Sequence, residues 1–322
     1  MVWRIHFSED DLARIQVSPT MGPLAETVLA AALLRCPQPR TLLSEWRGQV
    51  RVTPRMRPLR ALLPPGCHGV DLPTLTGENA TIEQGLQALL DVPREHLLVE
   101  MEYTDQRHRL SALAWAMAEA GGRPELAEAT RTAYHELVRP FWPRISACLH
   151  AERATWHRTL SREGPGVLLA SLQGPRIRWR PPVLEILMPS HVEMELGGRG
   201  IALVPSVFVG KDPSLHENPN DVDEMPRLIL PAADPGGTRL WAARRGGSAL
   251  AALVGRNRAA VLQNIADGCT TTELASRAGI SLAAASQHAS VLRGAGLIVT
   301  RRQGGAVLHV LTPLGAELLQ AG

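Results

Sequence analysis

Residues 269–315 read CTTTELASRAGISLAAASQHASVLRGAGLIVTRRQGGAVLHVLTPLG, and this stretch decides the C-terminal fold. Thr270-Thr-Thr-Glu273 has the spacing of a capping box, in which the Thr hydroxyl and the Glu carboxylate each satisfy a backbone N–H of the other residue. Leu274, Ala275 and Ala278 follow at helical spacing, and Gly279 supplies the positive φ at which helices commonly end. Ile280 is placed to plug the turn. Ser281 is placed to cap a second helix running to about Arg293, with Ala285, Ala289, Leu292 and part of His288 inward. Leu297–Thr300 and Ala306–Leu311 then read as two strands around the tip Arg301-Arg302-Gln303-Gly304-Gly305. Thr312-Pro313-Leu314 opens a closing helix that carries Leu318 and Leu319. Helix, turn, helix and basic hairpin are the layout of a winged helix-turn-helix.

The layout sorts the side chains. Leu282, Ala283, Ser286, Gln287 and Ser290 fall on the outward face of the second helix. Small residues there let the backbone approach a major groove closely. Gln287 suits bidentate contact to adenine, and the serines suit bases or phosphates. Arg301 and Arg302 on the wing suit phosphates or the minor groove. The candidate DNA-contacting set is Thr272, Ser281, Ala283, Ser286, Gln287, His288, Ser290, Arg293, Arg301, Arg302 and Gln303.

Charge supports this placement. The 322-residue chain carries a net charge of only +3. From Trp241 onward, however, eight Arg face three acidic residues, a local surplus of +5 that leaves −2 for the remainder. A basic module on a slightly acidic body fits phosphate neutralisation.

The same residues carry a family resemblance. TELASRAGIS, SQHASVLRGAGLI and RRQGGAVLHVLTPLG, within Thr272–Gly315, resemble the winged helix-turn-helix of ArsR/SmtB-type bacterial regulators. The resemblance covers about Ser248–Gly322, a quarter of the chain. It implies a homodimer that reads an inverted repeat in double-stranded DNA, usually as a repressor. It also implies that Ser286, Gln287 and His288 lie in the DNA-reading segment, with Arg301 and Arg302 on the wing. Where that family carries larger apolar residues, this chain has Ala285 and Ala289. The Cys-x-Cys metal pair of its best-known members is absent, since Thr271–Gly279 holds no Cys. Metal sensing at that position is therefore not expected.

Upstream, the expected architecture is α+β. Residues 1–237 form a body, helical to about 160 and β-rich over 161–237 with small antiparallel pairing. The winged helix occupies 238–322. Val2–Phe7 alternates as a strand, and Ser8 with Asp11 has capping spacing. Helices are expected over 23–36, 41–52, 81–90, 93–101 and 108–120, with a longer one from Pro124 to about Leu160 that breaks at Pro140 and Pro143. Leu59–Leu63 reads as an apolar turn and Gly69–Gly77 as loop. Short β-like runs are Ile177–Trp179, Val183–Met188, His191–Leu196, Ile201–Val209 and Arg227–Leu230. Lys211–Asp223 reads as a separator and Pro235–Gly237 as a linker.

Other constellations carry little chemistry. Cys148, His150 and His157 fit no zinc-ligand spacing. Gly197-Gly-Arg-Gly200 reads as a hairpin turn rather than a phosphate loop, and Ser206 lacks the glycines of a nucleophile elbow. Cys269 beside the motif reads as a small loop residue rather than a thiol switch. The four Cys are dispersed without a CxxC pair, so reduced thiols and a cytoplasmic location are expected. No apolar run approaches the ~18–20 residues of a membrane span. The expectation is thus a DNA-binding regulator and not an enzyme, with no cofactor and no metal. The body leaves room for a small organic effector in an apolar pocket between its helical and β portions. An enzyme or a protein-interaction module with a winged-helix tail is the competing reading, and a deep polar pocket with paired perturbed acid–base groups would favour the enzyme.

Overall fold

The computed structural model describes residues 1–36, 43–65, 69–119, 121–172, 176–188, 191–210, 212–232, 238–241, 248–265, 269–303 and 306–321. They form two compact units, Met1–Trp241 and Ala242–Gly322. The first unit extends four residues beyond the expected boundary at 237. Trp241 is the reason: its ring packs with Phe141, Phe208 and Trp46, at centroid distances of 5.5, 5.6 and 6.1 Å. The same cluster seats the Trp46 indole, whose N–H donates to the Leu137 carbonyl at 2.8 Å. A buried indole needs such an acceptor.

The first unit interleaves its N-terminal strands with those from beyond residue 160. Its strands are β1 (Val2–His6), β2 (Gln16–Val17), β3 (Ile177–Arg180), β4 (Val183–Leu187), β5 (Val192–Glu195), β6 (Ala202–Ser206), β7 (Ser214–His216) and β8 (Arg227–Pro231). One sheet has the order β3-β4-β1-β5 and the other β2-β6-β8-β7. The pairing is mixed rather than antiparallel, because β1 runs parallel to β5, and β6 parallel to both β2 and β8. In particular, the half-exposed run at 191–196 joins a parallel neighbour instead of a hairpin partner. The central strand β6 is buried at every position. Leu203 enters the core shared by the two sheets, with Trp3, Ile5, Leu184 and Leu228. Val204 enters a second cluster with Met21, Ala25 and Ile229. A strand covered on both faces reads as continuously apolar, as 201–209 does.

Helices fill the rest of this unit. Ser8 and Asp11 form the expected capping box. Asp11 also accepts the Gly200 N–H at 3.0 Å, and Arg14 donates to the Gly198 carbonyl at 2.6 Å, so the glycine turn is tied to the first helix. The long helical run from Gly122 is interrupted as its prolines require: Gly122–Ala133, a wide turn over Tyr134–Val138, a tight turn over Arg139–Phe141, then Trp142–Glu163. Four expectations change. Arg57–Ala61 and Leu72–Thr76 are short helices, the second capped by Asp71, which accepts the Thr74 N–H. The helix expected over 108–120 is only Ala112–Ala116, because the chain turns left-handed at Arg109. Ser214–His216, within the expected separator, is a strand held by its pairing to β8.

The boundary between the helical and β portions is filled: Trp46, Phe208, Val207 and Trp241 are all buried in one core. A groove of about 470 Å³ lies on the helical portion, between Pro54–Pro58 and Glu125–Thr132. Cys36 is disulfide-bonded, which corrects the expectation of reduced thiols; Cys148 and Cys269 are in no disulfide. Cys67 lies outside the described residues. Among the described residues no helix is long and apolar enough to cross a membrane.

Glu26 is wholly buried beneath β6. Its carboxyl accepts the Val207 and Phe208 N–H groups, both at 3.3 Å, and meets the Ser206 hydroxyl. Burial raises its pKa to about 7 against those hydrogen bonds. An unfolded Glu ionises near 4.5, so between 4.5 and 7 the folded chain holds one proton more. Stability from this group is therefore complete below 4.5 and falls as pH rises to 7. Glu26→Gln mimics the protonated acid. In urea melts it is expected to match wild type near pH 4.5 and to exceed it at pH 8 by on the order of 3 kcal/mol. Equal pH slopes for the two proteins would refute the assignment.

Candidate nucleic-acid interface

The second unit closes around Val261, Leu262, Ile265, Leu274, Ala285, Ala289, Leu292 and Ile298, all at most 1% exposed. Its first support is the helix Arg256–Gln263, which begins after Gly255, so Asn257 lies in the first turn rather than capping it. The helix Thr271–Ala278 starts with the capping box in place: Thr270 Oγ1 accepts the Glu273 N–H at 3.3 Å, and Glu273 Oε2 accepts the Thr270 N–H at 2.8 Å. That backbone bond, with the Thr270 hydroxyl, holds the Glu273 carboxyl below its ordinary pKa. Gly279 ends the helix at φ 64°, and the Ile280 N–H reaches back to the Ala275 carbonyl at 3.0 Å. Ser281 Oγ then accepts the Ala284 N–H at 3.2 Å and caps the second helix, Leu282–Gly294. Ala285 and Ala289 are fully buried where this helix packs on Arg256–Gln263 and Thr271–Ala278, so their small size fits close helix packing.

The wing follows from alternation. Strands β10 (Ile298–Gln303) and β11 (Ala306–Leu311) pair antiparallel from Ile298↔Leu311 to Gln303↔Ala306. A short strand, β9 (Cys269–Thr270), adds to β11 with Leu308↔Thr270 and His309↔Cys269. The wing is thereby tied to the cap of the first helix. Gly315 in the closing helix lies so near Leu297 that a Cβ there would sit 2.0 Å from its carbonyl oxygen. Only glycine allows that approach.

The structure places the outward set as follows. Thr272, Ser281, Ala283, Ser286, Gln287, Ser290, Arg293 and Arg301 are exposed, and His288 is half-buried. Leu282 and Val291 add apolar area to the same face, 55% and 46% exposed. Arg302 and Gln303 lie in β10 by their backbone, while the expectation for their side chains, and for 304–305, lies outside the described residues. Arg293 is also a brace: it donates to Ser290 Oγ and to Thr300 Oγ1, both at 3.2 Å, joining the second helix to the wing.

The residue that sequence reasoning missed is His309. It is buried, with Nε2 3.0 Å from Thr271 Oγ1 and Nδ1 3.1 Å from Thr300 Oγ1. A histidine inside the apolar alternation of Val307–Leu311 was the available signal. Burial, then the Arg293 charge, push its pKa below the ordinary 6.5, so the ring stays neutral and one nitrogen accepts while the other donates. Burial also raises the Cys269 thiol, keeping it protonated and unreactive. Among the described residues no group of three His, Cys, Asp or Glu is placed to hold a metal ion.

A family model described as a helix-turn-helix domain matches residues 256–301, which span the supporting helix, both helices of the motif and the start of the wing. Searches of curated proteins and of solved structures found no match. The C-terminal unit is accordingly a helix-turn-helix domain of the kind found in DNA-binding regulators.

His309→Ala removes both hydroxyl contacts and is expected to destabilise the second unit by about 1–3 kcal/mol. Amide exchange in β10 and β11 should quicken while the first unit is unchanged. In wild type, the unfolded ring binds a proton near 6.5 and the folded ring resists it, so this stabilisation is present above 6.5 and is lost as pH falls below it. Wing protection factors, taken relative to the intrinsic exchange rate at each pH, that do not fall below pH 6.5 would contradict a neutral His309.

Proposed function

We propose that the chain is a homodimeric, sequence-specific transcriptional regulator of the ArsR/SmtB type that represses by occupying an inverted-repeat operator. The observation that carries this reading is the outward face of the helix Leu282–Gly294. Gln287 stands there among small residues, with the basic wing residue Arg301 exposed on β10. Such a face admits the helix backbone to a major groove, and its glutamine supplies the paired donor and acceptor that adenine presents. The exposed Leu282 and Ala283 supply apolar contact for thymine methyls. The proposed DNA-contacting residues are the eleven named from the sequence, with Ser290 and Arg293 acting as a pair.

The absence of the Cys-x-Cys pair favours a small organic effector over a metal. Such an effector acts only through different affinities for the DNA-competent and DNA-incompetent states, and the first unit is its proposed seat.

Footprinting with the full-length protein on its own promoter region tests this reading. Gln287→Ala should weaken binding by about 10- to 100-fold and relax preference at one adenine per half-site. Arg301→Ala should weaken all sequences alike and lower the salt slope by about 1. Absence of a protected palindrome, with binding indifferent to both substitutions, would sink the proposal. Binding that barely changes with salt would point to a protein partner instead.

A further inference from the structure

Three elements of the first unit bring acid–base groups to one place. Asp71 caps the helix Leu72–Thr76, Glu100 lies on the helix Arg94–His108, and Ser214 and His216 share one face of the edge strand β7. His216 Nδ1 contacts Asp71 Oδ2 directly, and His216 Nε2 lies 2.8 Å from Ser214 Oγ. The side chains of His216 and Asp71 are 10% and 15% exposed, while Ser214 is part-exposed. Asp71 is fixed by Thr74, whose hydroxyl and N–H donate to it at 2.7 and 3.1 Å.

The tautomer follows from the partners. An ionised carboxylate only accepts, so Nδ1 of His216 carries the proton facing Asp71. When the ring is neutral, Nε2 is left with its lone pair toward the Ser214 hydroxyl. We propose that Ser214, His216 and Asp71 form a nucleophile, a general base and a positioning carboxylate that cleave carboxylic esters. This is an activity of the first unit, and it does not depend on the DNA-binding reading of the second.

In the first step Ser214 Oγ bonds to the ester carbonyl carbon and its proton passes to Nε2. Collapse breaks the bond to the leaving alkoxide, which takes that proton and departs as the alcohol. Water then adds to the acyl-serine, gives its proton to Nε2, and the carboxylic acid leaves as the proton returns to Oγ. Atoms and charge balance with water as the sole co-reactant.

The charges around the ring suit this role. Burial works against an ionised Asp71, but His216 and Thr74 hold its pKa below the ordinary value. Burial likewise works against a charged His216, but Asp71, then Glu100, outweigh it and raise the pKa, with Arg227 opposing. Burial, then Asp71, raise Glu100 to about 7. The imidazolium formed in each step is thus stabilised where it arises.

The test uses the full-length protein with a fluorophosphonate probe, peptide mapping by mass spectrometry, and p-nitrophenyl acetate turnover. Wild type should be labelled at Ser214, faster as pH rises above 6.5 and His216 loses its proton. Ser214→Ala should abolish that labelling and lower turnover by about 100-fold or more. Asp71→Asn keeps a helix-capping side chain but removes the charge. It should slow labelling and move the pH profile to lower pH, which loss of a merely structural contact would not do. Wild type that is unlabelled at Ser214, or ester turnover equal in Ser214→Ala, overturns the proposal. So does a pH profile that Asp71→Asn leaves in place.

Discussion

The exposed face of the second motif helix depends on one backbone residue in the left-handed region. Gly279 ends the first helix of the motif at φ 64°, and this turn lets Ile280 bond back to Ala275 while Ser281 begins the next helix. A side chain at Gly279 would meet open space, so the constraint is conformational and not steric. Once the turn is set, Ala285, Ala289 and Leu292 face the core, and the helical period turns Ser286, Gln287 and Ser290 outward. The wing's position follows from the same place in the chain, since β9 ends at the Thr270 cap and pairs with β11.

This explains why the second unit was legible and much of the first was not. Capping box, left-handed glycine, serine cap and alternating hairpin are local devices, each spanning a few residues, and each falls where the spacing placed it. His309 escaped because its value lies in Thr271 and Thr300, residues 38 and 9 positions away. In the first unit nearly every decisive contact is distant. β1 lies between β4 and β5, whose paired residues come 177 or more positions later, and nothing in VWRIH specifies a parallel neighbour. Trp241 follows a Pro-Gly stretch that reads as a linker, yet its ring belongs to the first core.

The Asp71–His216 pair shows the same limit in its sharpest form. Asp71 lies in a segment that reads as loop, and His216 in one that reads as a separator. Their separation is 145 residues, so no motif spacing joins them. What the sequence supplied was only a condition: a deep polar pocket with paired, perturbed acid–base groups would reopen the question of chemistry in the body. Asp71, Glu100 and His216 supply the perturbed groups of that condition.

Individual buried groups in the two units respond to protons in opposite directions. In the first unit Glu26, Glu100 and His216 all hold protons more tightly when folded than when unfolded. Their contributions therefore weaken as pH rises, from 4.5 for the carboxyls and from 6.5 for the imidazole. In the second unit His309 holds its proton less tightly when folded, so its contribution weakens as pH falls below 6.5. The difference has one physical origin. His216 faces two carboxyl groups, which favour a charged ring despite burial. His309 faces two hydroxyls and the Arg293 guanidinium, which leave burial unopposed. The same side chain is thus made a proton acceptor in the body and a neutral strut in the winged helix, by its neighbours alone.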